Sequence, residues 1–139
     1  MSLYVLDTDT ISLAQFGHPA VLQQLANHAP DIALSVISLQ EQFAGWLAAL
    51  PRTKTHQQLA EVYQRLVSRM FPVWKQFPLL AFPESAILRF EQLVALRLNV
   101  GKMDLRIAAI ALECGAVVVT RNQRDFGRVP SLMIEDWTV

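Results

Sequence analysis

Short, mainly apolar runs alternate along the chain with longer stretches of helical periodicity. These runs fall at residues 3–6, 32–35, 79–82 and 116–119. The last of them ends in three consecutive valines and has no polar face, which is typical of a strand buried on both sides. A further run at 132–134 predicts an edge strand. Strands that alternate with helices predict an α/β domain with three layers, in which helices flank a parallel β-sheet.

The stretches between these runs carry the apolar spacings of three and four that mark amphipathic helices. Helices are expected from residue 10, at 19–27, 36–51, 56–71 and 83–98, and at 104–114 after a loop at 100–103. Pro72 is expected to kink or end the fourth of them. In the third, Val36, Leu39, Phe43 and Leu47 form one stripe that we expect to face the core. The last helix is apolar almost all round, so we expect it to be buried on more than one side.

Composition limits the class of protein. A length of 139 residues predicts a single domain over 1–139, and 53% apolar with 17% charged residues excludes a disordered chain. Twelve basic residues balance twelve acidic ones, so a polyanionic ligand would need local basic clusters or a metal. The single cysteine, Cys114, excludes an internal disulfide, fits a reducing cytoplasm, and is expected to pack in the core. No signal peptide and no apolar run near the ~18 residues of a membrane span is present, which predicts a soluble cytoplasmic protein.

Acidic residues stand where the predicted strands end or where the neighbouring helices begin. Asp7 follows the first strand, Glu41 lies on the helix after the second, Asp104 opens the last helix, and Asp125 follows the fourth strand. Parallel strands form sites beyond their carboxyl ends. Gathered carboxylates repel one another unless a cation joins them, and oxygen ligands without His or Cys favour Mg²⁺ or Mn²⁺. Such a site suits hydrolysis of phosphodiesters.

Each of these residues also has an ordinary structural role open to it. Glu41 can complete a capping box with Ser38, and Asp104 is a good N-cap. Asp125 is a common turn former, and Asp7 can bond to the turn that follows its strand. Spacing along the sequence does not decide between these roles and a shared site.

Four segments carry a resemblance to a known family. They are residues 4–10 (YVLDTDT), 35–41 (SVISLQE), 104–109 (DLRIAA) and 118–126 (VVTRNQRDF). In this order they resemble the PIN-domain ribonucleases, specifically the VapC-type toxins of bacterial toxin–antitoxin pairs. The chain departs from the family pattern at Asp9, where Asn or Ser is common, and just before Asp104, where many relatives have Asn. Asp9 could add charge to the acidic site or cap the next helix, and we expect the cap.

The resemblance implies a function and a set of site residues. It implies a PIN-like fold and a Mg²⁺-dependent endoribonuclease whose catalytic and metal-binding residues are Asp7, Glu41, Asp104 and Asp125. Water activated by the metal would attack the RNA phosphodiester and leave a 5′-phosphate and a 3′-hydroxyl. A homodimer and a cognate antitoxin, whose tail fills the cleft, are also implied.

Polar and basic residues beside the acidic set are candidates for binding the RNA substrate, since phosphate contacts position a nucleic acid. The alternative for the basic ones is a solvated loop. The candidates are Thr120, Arg121, Asn122, Arg124 and Lys102.

Two other functions remain open. The segment Asp7-Thr8-Asp9 after a strand resembles the nucleophile loop of haloacid-dehalogenase-type phosphatases, in which Asp7 would be phosphorylated and Asp9 would act as acid and base. That family also requires a late acidic pair, and no adjacent acidic pair precedes the end of the predicted sheet. The other possibility is a non-catalytic α/β domain whose exposed apolar surface binds a partner.

Overall fold

The structure, a computed structural model that describes residues 2–139, confirms the α/β fold with a parallel sheet. The strands are β1 (Tyr4–Leu6), β2 (Ile32–Ser35), β3 (Leu79–Leu80), β4 (Val117–Val119) and β5 (Met133–Glu135). They lie in the order β3-β2-β1-β4-β5, and each pairs with its neighbours in parallel. Residues from three strands are in register at the centre, where Leu6 lies beside Leu34 and Val119. The carboxyl ends of the central strands therefore meet at one edge.

The helices flank this sheet. They are α1 (Thr8–Gln15), α2 (Pro19–His28), α3 (Val36–Ala49), α4 (His56–Arg65), α5 (Phe71–Trp74), α6 (Glu84–Ala95), α7 (Lys102–Cys114) and α8 (Gln123–Phe126). The first begins two residues earlier than predicted, because Asp7 caps it. The predicted loop at 100–103 is wrong in its last two residues, because Gly101 is the cap residue of α7. No helix within residues 2–139 is long and apolar enough to cross a membrane.

Two apolar clusters fill the space on the two faces of the sheet. Val5 and Val118 point into one cluster, which contains most of α7 and part of α6. Leu6 and Val119 point into the other, which contains Ile11 of α1 and parts of α2 and α5. Successive residues of one strand thus point to opposite faces of the sheet, as the pleat requires. The result is the predicted arrangement of three layers.

Helix α7 is buried on more than one side, as predicted, because it lies against both the sheet and α6. Six of its residues are buried, and Ile107 and Ala108 are fully inaccessible. Gly115 ends it in the left-handed region at φ 64°, where a side chain would be strained. Cys114 precedes this turn and is exposed, so its predicted core packing is wrong. The helix has left the core by its last turn.

The prediction for α3 is wrong in its buried face. Only Ile37 and Ser38 in this helix are buried, whereas Phe43 is 39% exposed and Leu47 is 56% exposed. The first turn packs against the sheet, and the remainder extends beyond it beside α4. There the Trp46 indole N–H donates to the carbonyl of Val62 at 2.9 Å. The apolar stripe marks one face of the helix, but α4 and the rest of the described chain leave its outer half partly exposed.

Pro72 neither ends the helical segment nor lies at the point where it is disturbed. Helix α4 passes into a wider, π-type turn at Leu66–Met70, and α5 continues through Pro72. In this turn the N–H of Phe71 bonds to the carbonyl of Leu66, five residues earlier. Proline lacks an N–H and crowds the preceding turn, so the widening occurs just before it.

Candidate active site

A polar cleft of about 630 Å³ opens at the carboxyl ends of the central strands. It contains three of the four carboxylates predicted from the sequence, together with hydroxyl and basic side chains. The lining residues are Asp7, Thr8, Asp9, Ser12, Glu41, Asp104, Arg121 and Asn122. Helices α1, α3 and α7 and the segment after β4 therefore all contribute to one site.

Asp7 is held at the end of β1 by both its backbone and its side chain. Its N–H donates to the carbonyl of Val119 at 3.0 Å, and its Oδ1 accepts from the N–H of Thr10 at 2.8 Å. The predicted bond to the following turn is therefore present, in a residue that also lines the cleft. Burial raises the pKa of Asp7, hydrogen bonds from Thr10 and Thr120 lower it, and the charge of Asp9 adds to the rise.

Asp104 is the residue whose protonation best reports the electrostatics of the cleft. Burial and, in decreasing order, the negative charges of Glu41, Asp7 and Asp125 together raise its pKa to about 6. All four predicted carboxylates are thus close enough to influence one titration. The alternative role of Asp104 as an N-cap is wrong, because Gly101 occupies that position and Asp104 lies inside the first turn of α7.

Glu41 reaches the cleft from the second turn of α3. The predicted capping box with Ser38 is wrong, because Ser35 caps the helix and accepts from the Ser38 N–H at 3.2 Å. The helix therefore begins at Val36, too early for Glu41 to cap it. Instead, the Thr8 hydroxyl donates to Glu41 Oε1 at 2.6 Å, which ties α3 to the start of α1.

Asp125 lies in α8, beside the cleft and outside its lining. Its N–H donates to the side-chain oxygen of Asn122 at 3.4 Å, so the predicted turn role is present. The Asn122 amide donates in return to Asp125 Oδ2 at 3.1 Å, and Arg128 lies 3.5 Å from Oδ1. The Asp125 carboxylate is thus held by Asn122 and Arg128 and acts on the cleft through its charge.

Asp9 does not cap a helix, contrary to the expectation, because Asp7 takes that position two residues earlier. Its carboxylate instead pairs with Arg121, which donates through Nε at 2.6 Å and through a terminal nitrogen at 3.3 Å. Both residues line the cleft, and both are about half exposed. The pair neutralises one acidic side chain beside the other three and fixes the guanidinium at the opening.

The other predicted substrate-binding residues differ in position. Asn122 lines the cleft, whereas Thr120 is fully buried behind it, where its hydroxyl accepts from the N–H of Asn122 at 2.9 Å. Thr120 is therefore placed to orient Asp7 and Asn122. Lys102 and Arg124 are exposed near the ends of α7 and α8, outside the lining of the cleft.

Sequence reasoning missed Thr8 and Ser12 as parts of the site. A hydroxyl residue directly after Asp7 is a local signal that could have pointed to Thr8. Its bond to Glu41 joins residues 33 positions apart, and nothing in the sequence marks that pairing. Ser12 lies one turn later on the same face of α1.

The donor set fits a hard divalent cation that keeps part of its water shell. Across residues 2–139, no three side chains of Asp, Glu, His or Cys are close enough to form a shared metal site. The carboxylates thus surround the cleft without forming a closed cage. Mg²⁺ is usually bound through one or two carboxylates and retains several waters, so a wide ring of oxygen ligands suits it. Zn²⁺ would prefer the nitrogen and sulfur ligands that this cleft lacks.

Comparison with known proteins finds similarity to VapC and VapBC proteins. No protein-family model matches the chain. The chain is 53% identical over 38 residues to the tRNA(fMet)-specific endonuclease VapC of Salmonella typhimurium, a match that spans 27% of this chain and 29% of that protein. The crystal structure of DNA-bound VapBC from Salmonella typhimurium is similar with a TM-score of 0.80 and 25% identity over 99% of both chains. The crystal structure of VapBC2 from Rickettsia felis bound to a promoter DNA fragment is similar with a TM-score of 0.71 and 27% identity, over 97% of this chain and 98% of that chain.

Proposed function

We propose that this chain, whose fold is that of the VapC-type PIN-domain toxins, is a Mg²⁺-dependent endoribonuclease that hydrolyses RNA phosphodiester bonds. One observation carries the proposal. Four carboxylates from separate parts of the chain meet at one end of the sheet, closely enough for three of them to raise the pKa of the fourth, Asp104. Crowded carboxylates cost stability, and a divalent cation is the ligand that would compensate for that cost.

The residues divide into metal ligands and groups that position the substrate. Asp7, Glu41, Asp104 and Asp125 would hold the ion, directly or through water, with Mn²⁺ as an alternative to Mg²⁺. When bound, the ion supplies Lewis acidity, which activates water and neutralises the charge that builds up on the phosphate. Arg121 is fixed by Asp9 at the opening of the cleft, where it would bind a substrate phosphate.

Burial and hydrogen bonding prepare the acidic side chains for this role. Thr10 and Thr120 hold the Asp7 carboxylate in one orientation, and Thr8 holds that of Glu41. Asn122 would act as a further polar contact for the RNA, and Lys102 and Arg124 would attract phosphates from outside the cleft. A bound cation would lower the pKa of Asp104 and keep it ionised at neutral pH.

The proposal includes two protein partners. The relatives are VapBC complexes, which supports a cognate antitoxin that fills the cleft and silences the enzyme. A homodimer is supported by exposed apolar side chains on α6, where Leu88 is 55% exposed and Ile87 is 39% exposed.

The test combines removal of the metal with two conservative substitutions. The purified protein is incubated with structured RNAs, including the initiator tRNA, in Mg²⁺, in EDTA, and in EDTA followed by excess Mg²⁺. Cleavage should occur with Mg²⁺, stop in EDTA and return. Asp104→Asn and Glu41→Gln should each lower the rate by about 100-fold or more, since each removes a charged ligand. Melting temperatures in EDTA should stay unchanged or rise, because repulsion is relieved.

Asp31→Asn is the matched control. It removes a carboxylate that directly precedes β2, at the opposite end of the sheet from the cleft, and should leave the rate unchanged. Undiminished cleavage in EDTA would exclude the metal mechanism. Full activity of both cleft variants would exclude the proposed site.

A further inference from the structure

A second groove leads away from the acidic cleft along α3 and α4. A cavity of about 240 Å³ has Ser12 in its lining, as the cleft does. A further cavity of about 650 Å³ shares Arg65 and Arg69 with this smaller cavity. The three spaces are therefore neighbours, since each shares lining residues with the next. We call the two cavities beyond the cleft the arginine groove. It is defined by Phe16, Trp46, Arg52, Arg65 and Arg69.

The groove is basic although the chain as a whole is neutral. Arg52, Arg65 and Arg69 line it, and Glu61 is the one acidic residue among its lining. None of the ion pairs within residues 2–139 involves these arginines, and all three are exposed. Unpaired guanidinium groups in a concave surface attract a polyanion. The twelve basic residues are thus distributed so that a local excess lies next to the proposed site of cleavage.

An exposed aromatic ring lines the groove beside two of the arginines. Phe16 is 68% exposed, and the guanidinium carbon of Arg69 lies 4.7 Å from the centre of its ring. An exposed aromatic ring beside basic side chains offers a surface on which a base can stack. Arginines that bind phosphates beside a ring that stacks with bases form the usual surface for single-stranded nucleic acid.

We propose that the arginine groove binds the single-stranded RNA that continues from the scissile phosphate. The inference rests on the proposed function and extends it to the path of the substrate. From Gln42 to Ala49, α3 borders the groove over about 10 Å at ~1.5 Å per residue. That length accommodates about three stacked nucleotides at ~3.4 Å each. An acidic peptide would match the arginines but offers no base to stack on the exposed part of Phe16, so RNA fits the groove better.

The test measures binding separately from cleavage. Binding of a fluorescent 12-nucleotide single-stranded RNA is followed by anisotropy at several salt concentrations, in the Asp104→Asn background so that the RNA stays intact. Replacing both Arg65 and Arg69 by Gln should raise Kd by about tenfold or more and reduce the slope of log K against log salt by about 1.4, which is ~0.7 for each lost phosphate contact. Phe16→Leu should raise Kd and leave the salt slope unchanged, because it removes stacking and no charge.

Arg89→Gln is the matched control, since it removes an arginine that pairs with Glu113 and lines neither the cleft nor the groove. It should change neither Kd nor slope. Equal Kd values for the control and the double variant would overturn the groove proposal. So would poly-glutamate binding that depends on Arg65 and Arg69 when RNA binding does not, since the groove would then be a peptide site.

A kinetic measurement keeps this inference distinct from the proposed function. With Asp104 intact, the double variant should have a raised KM for the 12-nucleotide RNA and an unchanged kcat. An RNA too short to reach Arg65 should be cleaved equally by both proteins. Absence of cleavage by the unsubstituted protein would contradict the proposed function, while the anisotropy experiment would still decide whether the groove binds RNA.

Discussion

Helices α3 and α7 each bring one acidic side chain to the cleft, but they are held in very different ways. Six residues of α7 are buried between the sheet and α6, so packing fixes Asp104. Only two residues of α3 are buried, and Glu41 is fixed by a hydrogen bond from Thr8. The same site thus combines a ligand positioned by the core with a ligand positioned by one polar contact.

This difference follows from how the apolar residues are distributed. In α7 they surround the helix, and small residues such as Ala108 and Ala109 allow close approach on two sides. In α3 they form a stripe whose outer part, at Phe43 and Leu47, remains exposed. A helix with one apolar stripe needs contacts on a single face, whereas a helix that is apolar all round is stable in water only when it is buried on several sides.

The largest expected effect is the difference in unfolding free energy between a substitution in α7 and one in α3. Ile107→Ala should lower the free energy of unfolding by about 2–5 kcal/mol, because it leaves a cavity in a fully buried position. Leu47→Ala removes an aliphatic side chain that is 56% exposed and should cost about 0.5 kcal/mol or less. Urea denaturation of both variants measures the difference. Similar losses would mean that α3 is packed in solution against a surface such as a second copy of the chain.

The contrast also explains how far the sequence alone predicts the fold. The strands, their parallel arrangement and the burial of α7 could be predicted because β-branched runs and an all-round apolar helix have few other solutions. The exposure of Leu47 could not, since periodicity identifies a face and says nothing about what covers it. The starts of α1 and α7 were each predicted two residues late, because Asp7 and Gly101 take the cap positions.

The site was predictable at the level of residues but not of contacts. Asp7, Glu41 and Asp104 line one cleft, and Asp125 acts on it, as the positions at strand ends indicate. The pairings of Glu41 with Thr8 and of Arg121 with Asp9 depend on how distant segments meet. Such pairings join residues 33 and 112 positions apart and leave no local pattern.

A smaller effect should appear in the pH dependence of stability, through Asp104 on α7. The pKa of Asp104 rises from 3.8 to about 6 on folding, so the folded state favours the protonated form. Its contribution to stability is complete below pH 3.8 and is lost as the pH rises through about 6. In EDTA, the unfolding free energy of the parent protein relative to Asp104→Asn should therefore fall between pH 4 and pH 7.

Linkage sets the upper limit of that fall at about 3 kcal/mol, from ~1.4 kcal/mol per pKa unit, and solvent near this half-buried side chain reduces it. Denaturant titrations of the two proteins at each pH provide the measurement. A constant difference across the range would show that the carboxylates do not crowd Asp104 in solution. Excess Mg²⁺ should flatten the profile, because the cation offsets the repulsion.

The smallest expected effect concerns Glu41, the proposed metal ligand on α3. Thr8→Val replaces the hydroxyl that orients Glu41 with a methyl group of similar size, so Glu41 keeps its charge and loses its donor. A hydrogen bond to a charged group contributes about 1.5–3 kcal/mol, so RNA cleavage should fall by about tenfold. Thr8→Ser retains the hydroxyl and should retain most of the rate.

A double-mutant cycle separates positioning of Glu41 from a general effect on α1. In the Glu41→Gln background, Thr8→Val should cause little further loss of the residual rate, because the two residues act as one unit. An undiminished tenfold loss in that background would show that Thr8 acts on the cleft independently of Glu41. Asp104, which no such donor orients among the described hydrogen bonds, should keep its influence on stability in either variant, since burial in α7 rather than a single polar contact determines its position.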